Sequence, residues 1–100
     1  MTTAELIEQL NGADSLKGLE DLLNRYLLQM MDEAEQRPER RQQIAYEIAG
    51  LMGTRAVVAT HEPNPYLSIM LLAGQLELPA HHRSPTASWK GLAALVRSLR

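Results

Sequence analysis

The sequence predicts an all-α fold, a compact bundle of four or five short helices forming a single domain over residues 1–100. Three observations carry that expectation. The apolar 45% of the chain is mostly Leu, Ala, Ile and Met, with no Phe and one Trp; a sheet core prefers β-branched and aromatic side chains. Apolar residues recur at steps of three and four over most of the chain, which lines one face of a helix. Proline, glycine and capping residues divide these runs at helix-length intervals.

The elements follow in order. Thr2 and Glu5 have the spacing of a capping box, in which each side chain satisfies a backbone N–H. Leu6, Ile7 and Leu10 make a short helix, with Asn11-Gly12 as a left-handed stop. The longest helix is expected from Asp14 or Ser15, either able to cap it, to Gln36. Its stripe runs through Leu16, Leu19, Leu23, Tyr26 and Met30, widened by Leu22, Leu27, Met31 and Ala34. Pro38 opens a helix to Met52, with Ile44, Ala45, Ile48 and Leu51 on one side and Gly53 as its stop. Residues 54–60 read as a short helix or an extended connection, because so brief an apolar run has no decisive period. The stretch 61–65 is a break. Asn64-Pro65 then reads as cap and first helical position of a helix apolar nearly all round, which places it at the bundle centre. Ser84-Pro85 repeats that signal for a last helix, with Trp89, Leu92, Val96 and Leu99 inward and Lys90 and Arg97 on the wet flank.

Composition excludes several classes of protein. Cysteine is absent, so no disulfide framework or thiolate metal site exists. The start lacks the basic and apolar regions of a signal peptide, and the longest apolar run, near Ile69 to Gly74, is too short to cross a bilayer. A cytoplasmic protein with no membrane partner is the expectation. Net charge is only −2, but residues 1–35 hold eight acids against Lys17 and Arg25, whereas residues 36–100 hold four acids and eight bases. Such polarity can steer a partner, or the two halves can neutralise each other within the fold.

Catalytic chemistry finds little footing. His61, Glu62, His81 and His82 lack the three- or four-residue spacing that gathers zinc ligands on a helix. Ser68 has no glycine elbow, and Ser15 and Ser84 read as caps. The glycines are scattered, so no phosphate loop is present. Glu20-Asp21 and Asp32-Glu33 are neighbours in sequence, hence ~100° apart on a helix and unsuited to converge on a substrate. No enzyme, metal, cofactor or small-molecule substrate is expected.

Two binding functions remain. A DNA-binding regulator or accessory protein would use Arg37, Arg40, Arg41 and the basic end on phosphates, although dedicated DNA-binding domains are usually markedly more basic. A protein-binding role would use the outward line of the long helix, Asp21, Leu28, Asp32 and Glu35 with Arg25 among them, and Glu33 beside it. Leu28 is the large apolar residue on that outward side. Tyr46, opposite Ile44, Ile48 and Leu51, is a further candidate anchor, since Tyr is enriched at hot spots. The partner implied is a protein with a basic or nucleic-acid-binding surface, whose phosphate sites the carboxylates would occupy.

In general build the chain resembles phage-encoded anti-CRISPR proteins, in particular small inhibitors of type I CRISPR effector complexes. The resemblance is carried by a short Cys-free chain, the capped start Thr2-Thr3-Ala4-Glu5, the acidic front half and Asp21, Asp32 and Glu35 on one helix. It implies a non-enzymatic inhibitor that docks on a crRNA-guided surveillance complex and blocks target-DNA binding. The basic tail departs from pure DNA mimicry.

Overall fold

Six helices and no strand make up the described part of the chain, residues 2–60 and 64–99 of the computed structural model. Residues 61–63 of the expected break, with His61 and Glu62, and Arg100 of the basic tail lie outside the described residues. Five of the helices are the expected bundle elements; the sixth is a single four-residue turn.

Helix α1, Thr3–Gly12, forms half of the expected capping box: Thr2 Oγ1 accepts the Glu5 N–H at 3.2 Å, the Glu5 side chain does not return a bond to Thr2 N–H, and Leu6 and Leu10 are buried. The left-handed stop expected at Gly12 does not form. Gly12 completes the helix, extended Ala13 ends it, and among the described residues the only positive φ belongs to Gly18, at 88°. That glycine also corrects the start of the long helix. Helix α2 is Glu20–Gln36, capped by neither Asp14 nor Ser15; Leu19 holds the cap position without a side-chain bond. A left-handed residue cannot continue a right-handed helix, so residues 14–19 turn instead, and the turn still buries Leu16. With no cap, the first turn is supported by Glu20 and Asp21, whose charges favour the positive end of the helix dipole.

Pro38 opens a separate 3₁₀ turn, Pro38–Arg40, that leads into α3, Arg41–Met52. The ambiguous segment resolves as helix α4, Arg55–Val58, with Ala56 and Val57 buried. Its cap comes from elsewhere in the chain. Asn11 Oδ1, at the end of α1, accepts the Arg55 N–H at 3.0 Å, a bond spanning 44 positions. Helix α5, Pro65–Glu77, begins as expected, with Asn64 Oδ1 accepting the Tyr66 N–H at 3.0 Å. At its far end Arg83 donates from Nε to the Leu78 carbonyl and from Nη2 to that of Leu76, satisfying acceptors the helix leaves open. Helix α6, Trp89–Arg97, starts one turn later than Ser84-Pro85 suggested. Ser88 is the cap, accepting from Gly91 N–H at 3.0 Å, whereas the Ser84 hydroxyl is engaged by Thr86.

The core is one cluster drawn from all six helices and Leu16. Its hub is α3, which packs on α1, α2, α4 and α5; α5, expected at the centre, packs chiefly on α3 and α6. The surplus apolar side of α5 faces outward instead, with Leu71 68% exposed. A radius of gyration of 12.9 Å matches the ~13 Å of a well-packed chain of this length. No helix among the described residues is long and apolar enough to cross a membrane.

Candidate protein-binding site

The acidic line expected along α2 is broken up by the fold. Asp21 and Asp32 are exposed and have no ion-pair partner among the described residues. They stand eleven positions apart, about 16 Å along the axis, with exposed Arg25 between them. Glu35 is held by the chain's own basic end: Arg97 Nη2 donates to its Oε1 at 2.8 Å. Glu33 points down the other flank of α2, about 100° from Asp32, and pairs with Arg40. Leu28, expected on the outward side, is half-buried and packs on the core. It is wide of the stripe by angle, but the apolar band of α2 is broad enough to take it in. Charge neutralisation within the fold therefore claims part of the ridge.

The basic residues of the DNA-binding expectation are similarly engaged. Arg40 pairs with Glu33, and Arg41 donates from Nε to the Ala34 carbonyl at 3.0 Å. Arg37, the C-cap of α2, is exposed and has no ion-pair partner among the described residues. His81 and His82 sit on an exposed 3₁₀ turn with ring centroids 4.1 Å apart. Among the described residues no three His, Asp or Glu gather as a metal site would require.

Tyr46 stands apart from the ridge and is 61% exposed. Its inward neighbours on α3, Ile44, Ala45 and Ile48, are fully buried, so the phenol is left on the opposite side. It borders a groove of about 400 Å³ between α1 and α3, floored by Ala4, Ile7, Ala49 and Gly50. A second depression, about 390 Å³, adjoins it and shares Gln43, Tyr46 and Glu77. A Cβ built on Gly50 would sit in ordinary contact with Ile7 Cδ1, at 3.8 Å, where α3 faces α1. Gln42 Nε2 donates to the Glu77 carbonyl at 2.9 Å, tying α3 to the end of α5 at the second depression.

The charge of this groove is one-sided. Glu39, Glu47 and Glu77 border the two depressions, and among the described residues no Lys or Arg lines either. An aromatic anchor, a small-residue floor and an acidic rim suit an amphipathic segment that carries basic residues. Sequence reasoning found Tyr46 from its place opposite the apolar face of α3. It missed the three glutamates, which lie 8 and 30 positions apart and meet only because α5 returns alongside α3. No protein-family model matches this sequence, and no curated protein or solved structure matches it either.

Proposed function

We propose that this protein is a non-enzymatic binding protein, an inhibitor or adaptor, that seats a basic amphipathic segment of a partner protein in the Tyr46 groove. The observation that carries this reading is an exposed tyrosine above an apolar floor whose charged lining, among the described residues, is all carboxylate. Tyr46 supplies buried area on docking, and the glutamates select a cationic partner and speed its encounter. Asp21 and Asp32 add a weaker, more distant attraction.

The resemblance in build to anti-CRISPR proteins nominates the partner: a type I crRNA-guided surveillance complex, whose target-DNA channel must be basic to hold phosphates. The test titrates the purified protein against such a complex and follows target-DNA binding. Displacement of DNA by the wild-type protein is expected, with Tyr46→Ala weakening it roughly 30-fold, the size of a hot-spot truncation. Glu47→Lys should weaken it further, and added salt should do the same. An unchanged affinity in Tyr46→Ala would refute the groove as the binding surface. Absence of any interaction with the complex would remove that partner. A gel shift of generic duplex DNA at low salt, abolished by Arg37→Ala, would favour the DNA-binding role instead.

A further inference from the structure

Away from the Tyr46 groove, α2, α3 and α6 enclose a cleft of about 240 Å³ whose charge runs against the rest of the chain. Arg41, Lys90 and Arg97 line it, with Glu35 as the one carboxylate among the described residues. The lining thus carries a formal charge of +2 in a protein whose net charge is −2.

Each cation is differently placed. Arg41 is pinned in orientation: its Nε donates to the Ala34 carbonyl at 3.0 Å, and its guanidinium carbon lies 5.9 Å from the centroid of the Trp89 ring. That stack and single bond leave the Nη donors of Arg41 uncommitted among the described residues. Arg97 is held by Glu35 at 2.8 Å. Lys90 is exposed and has no ion-pair partner among the described residues. Trp89, Met31, Ala34 and Ala93 complete the cleft with apolar surface.

The geometry points to a binding site for a phosphate monoester, its phosphate among Arg41, Lys90 and Arg97 and its organic part against Trp89, Met31 and Ala93. A carboxylate would bring a single charge. A phosphate monoester brings about −1.5 to −2 near neutral pH and three strong acceptor oxygens, which matches the net charge of the lining and the forked donors of arginine. Glu35 opposes the ligand, and its bond to Arg97 limits that opposition. The site is independent of the Tyr46 groove and holds a ligand, with no reaction attached to it.

Trp89 is the only tryptophan in the chain, so its indole N–H resonance reports on the cleft alone. The experiment titrates the ¹⁵N-labelled protein at low salt with inorganic phosphate, with a nucleoside 5′-monophosphate and with the unphosphorylated nucleoside. The first two are expected to shift that resonance saturably, the monophosphate at lower concentration, and the nucleoside to leave it unmoved. Lys90→Gln should weaken the response about tenfold, the loss of one charge-assisted bond, while Glu35→Gln should strengthen it. Both positions are exposed, so neither variant threatens folding. No saturable shift with either phosphate probe up to about 10 mM, or an equal shift with the bare nucleoside, would overturn the site. Inorganic phosphate binding as tightly as the monophosphate would overturn its assignment to an ester. An unchanged affinity in Lys90→Gln would remove the cationic lining as the cause.

Discussion

Tyr66 shows how a small polar network can tie two helices to the residues that follow a third. It is 7% exposed, and its hydroxyl donates to Asn24 Oδ1 at 2.9 Å. Asn24 Nδ2 in turn reaches the Leu99 carbonyl at 3.4 Å, so α5, α2 and the residues after α6 meet at one small network. Burial, then the negative charge of Glu20, pushes the phenol pKa above its ordinary 10.0, against the opposing effect of the Asn24 hydrogen bond. The native state therefore prefers the neutral phenol. That preference is fully present below the unfolded value of 10.0 and is lost as pH rises through the higher folded value. Tyr66→Phe should accordingly lose about 1 kcal/mol at neutral pH and show a shallower decline in stability above pH ~10 than the wild type. Urea unfolding of both proteins from neutral to alkaline pH checks it; identical alkaline slopes would count against the network. Sequence could not single Tyr66 out, because inside an apolar helix it looks like one more core residue. Tyr46 was legible for the converse reason: it interrupts the apolar side of nothing and stands across from Ile44 and Ile48.

Helices were readable from sequence where their ends are made by neighbouring side chains. Thr2 with Glu5, and Asn64 with Pro65, act over a few positions; both helices start where expected, the first with only the Thr2 half of its capping box. The start of α2 was not readable in this way, because the apolar spacing of Leu16, Leu19 and Leu23 continues through a point where the backbone turns. Gly18 alone marks that point, and a glycine in a helical pattern carries no sign of its φ. The cap of α4 was hidden for a different reason, since Asn11 serves it from another helix. Two glycines should separate these effects. Gly18 has φ of 88°, and a Cβ built there meets nothing within 4 Å. Gly18→Ala is therefore expected to cost about 1–2 kcal/mol through backbone conformation alone. Gly74, inside α5 and equally open to a Cβ, should gain roughly 0.4–1 kcal/mol on substitution by Ala. Thermal or urea unfolding of the two variants measures both; a stabilised Gly18→Ala would mean that the turn before α2 can be rewound into helix.

At the scale of the whole molecule, the question is what the separation of charge along the chain does. Acids in the first part and bases in the last do meet, but sparingly. Asp14 pairs with Arg55 at 3.3 Å and Glu35 with Arg97 at 2.8 Å, each on the surface, and Glu33 pairs with Arg40 close by in sequence. Exposed pairs of this kind contribute roughly 0–1 kcal/mol each and weaken with salt. The continuous apolar core from Leu6 to Val96 does not depend on them. Charge asymmetry is therefore a property of the surfaces this protein offers and adds little to its folding. Stability and partner binding should then respond differently to ionic strength. Between about 0.05 and 1 M sodium chloride the Debye length falls from more than 10 Å to about 3 Å. Over that range the free energy of unfolding should move by less than about 1 kcal/mol, as expected for a fold held by apolar burial. Docking of a basic segment on Glu39, Glu47 and Glu77 should weaken steeply over the same range, because its attraction acts across solvent. Parallel measurement of urea unfolding and of partner affinity across the salt series decides between the two uses of the charge. Loss of the fold at high salt would show that the acidic and basic halves hold each other, leaving the groove without a charge of its own to offer.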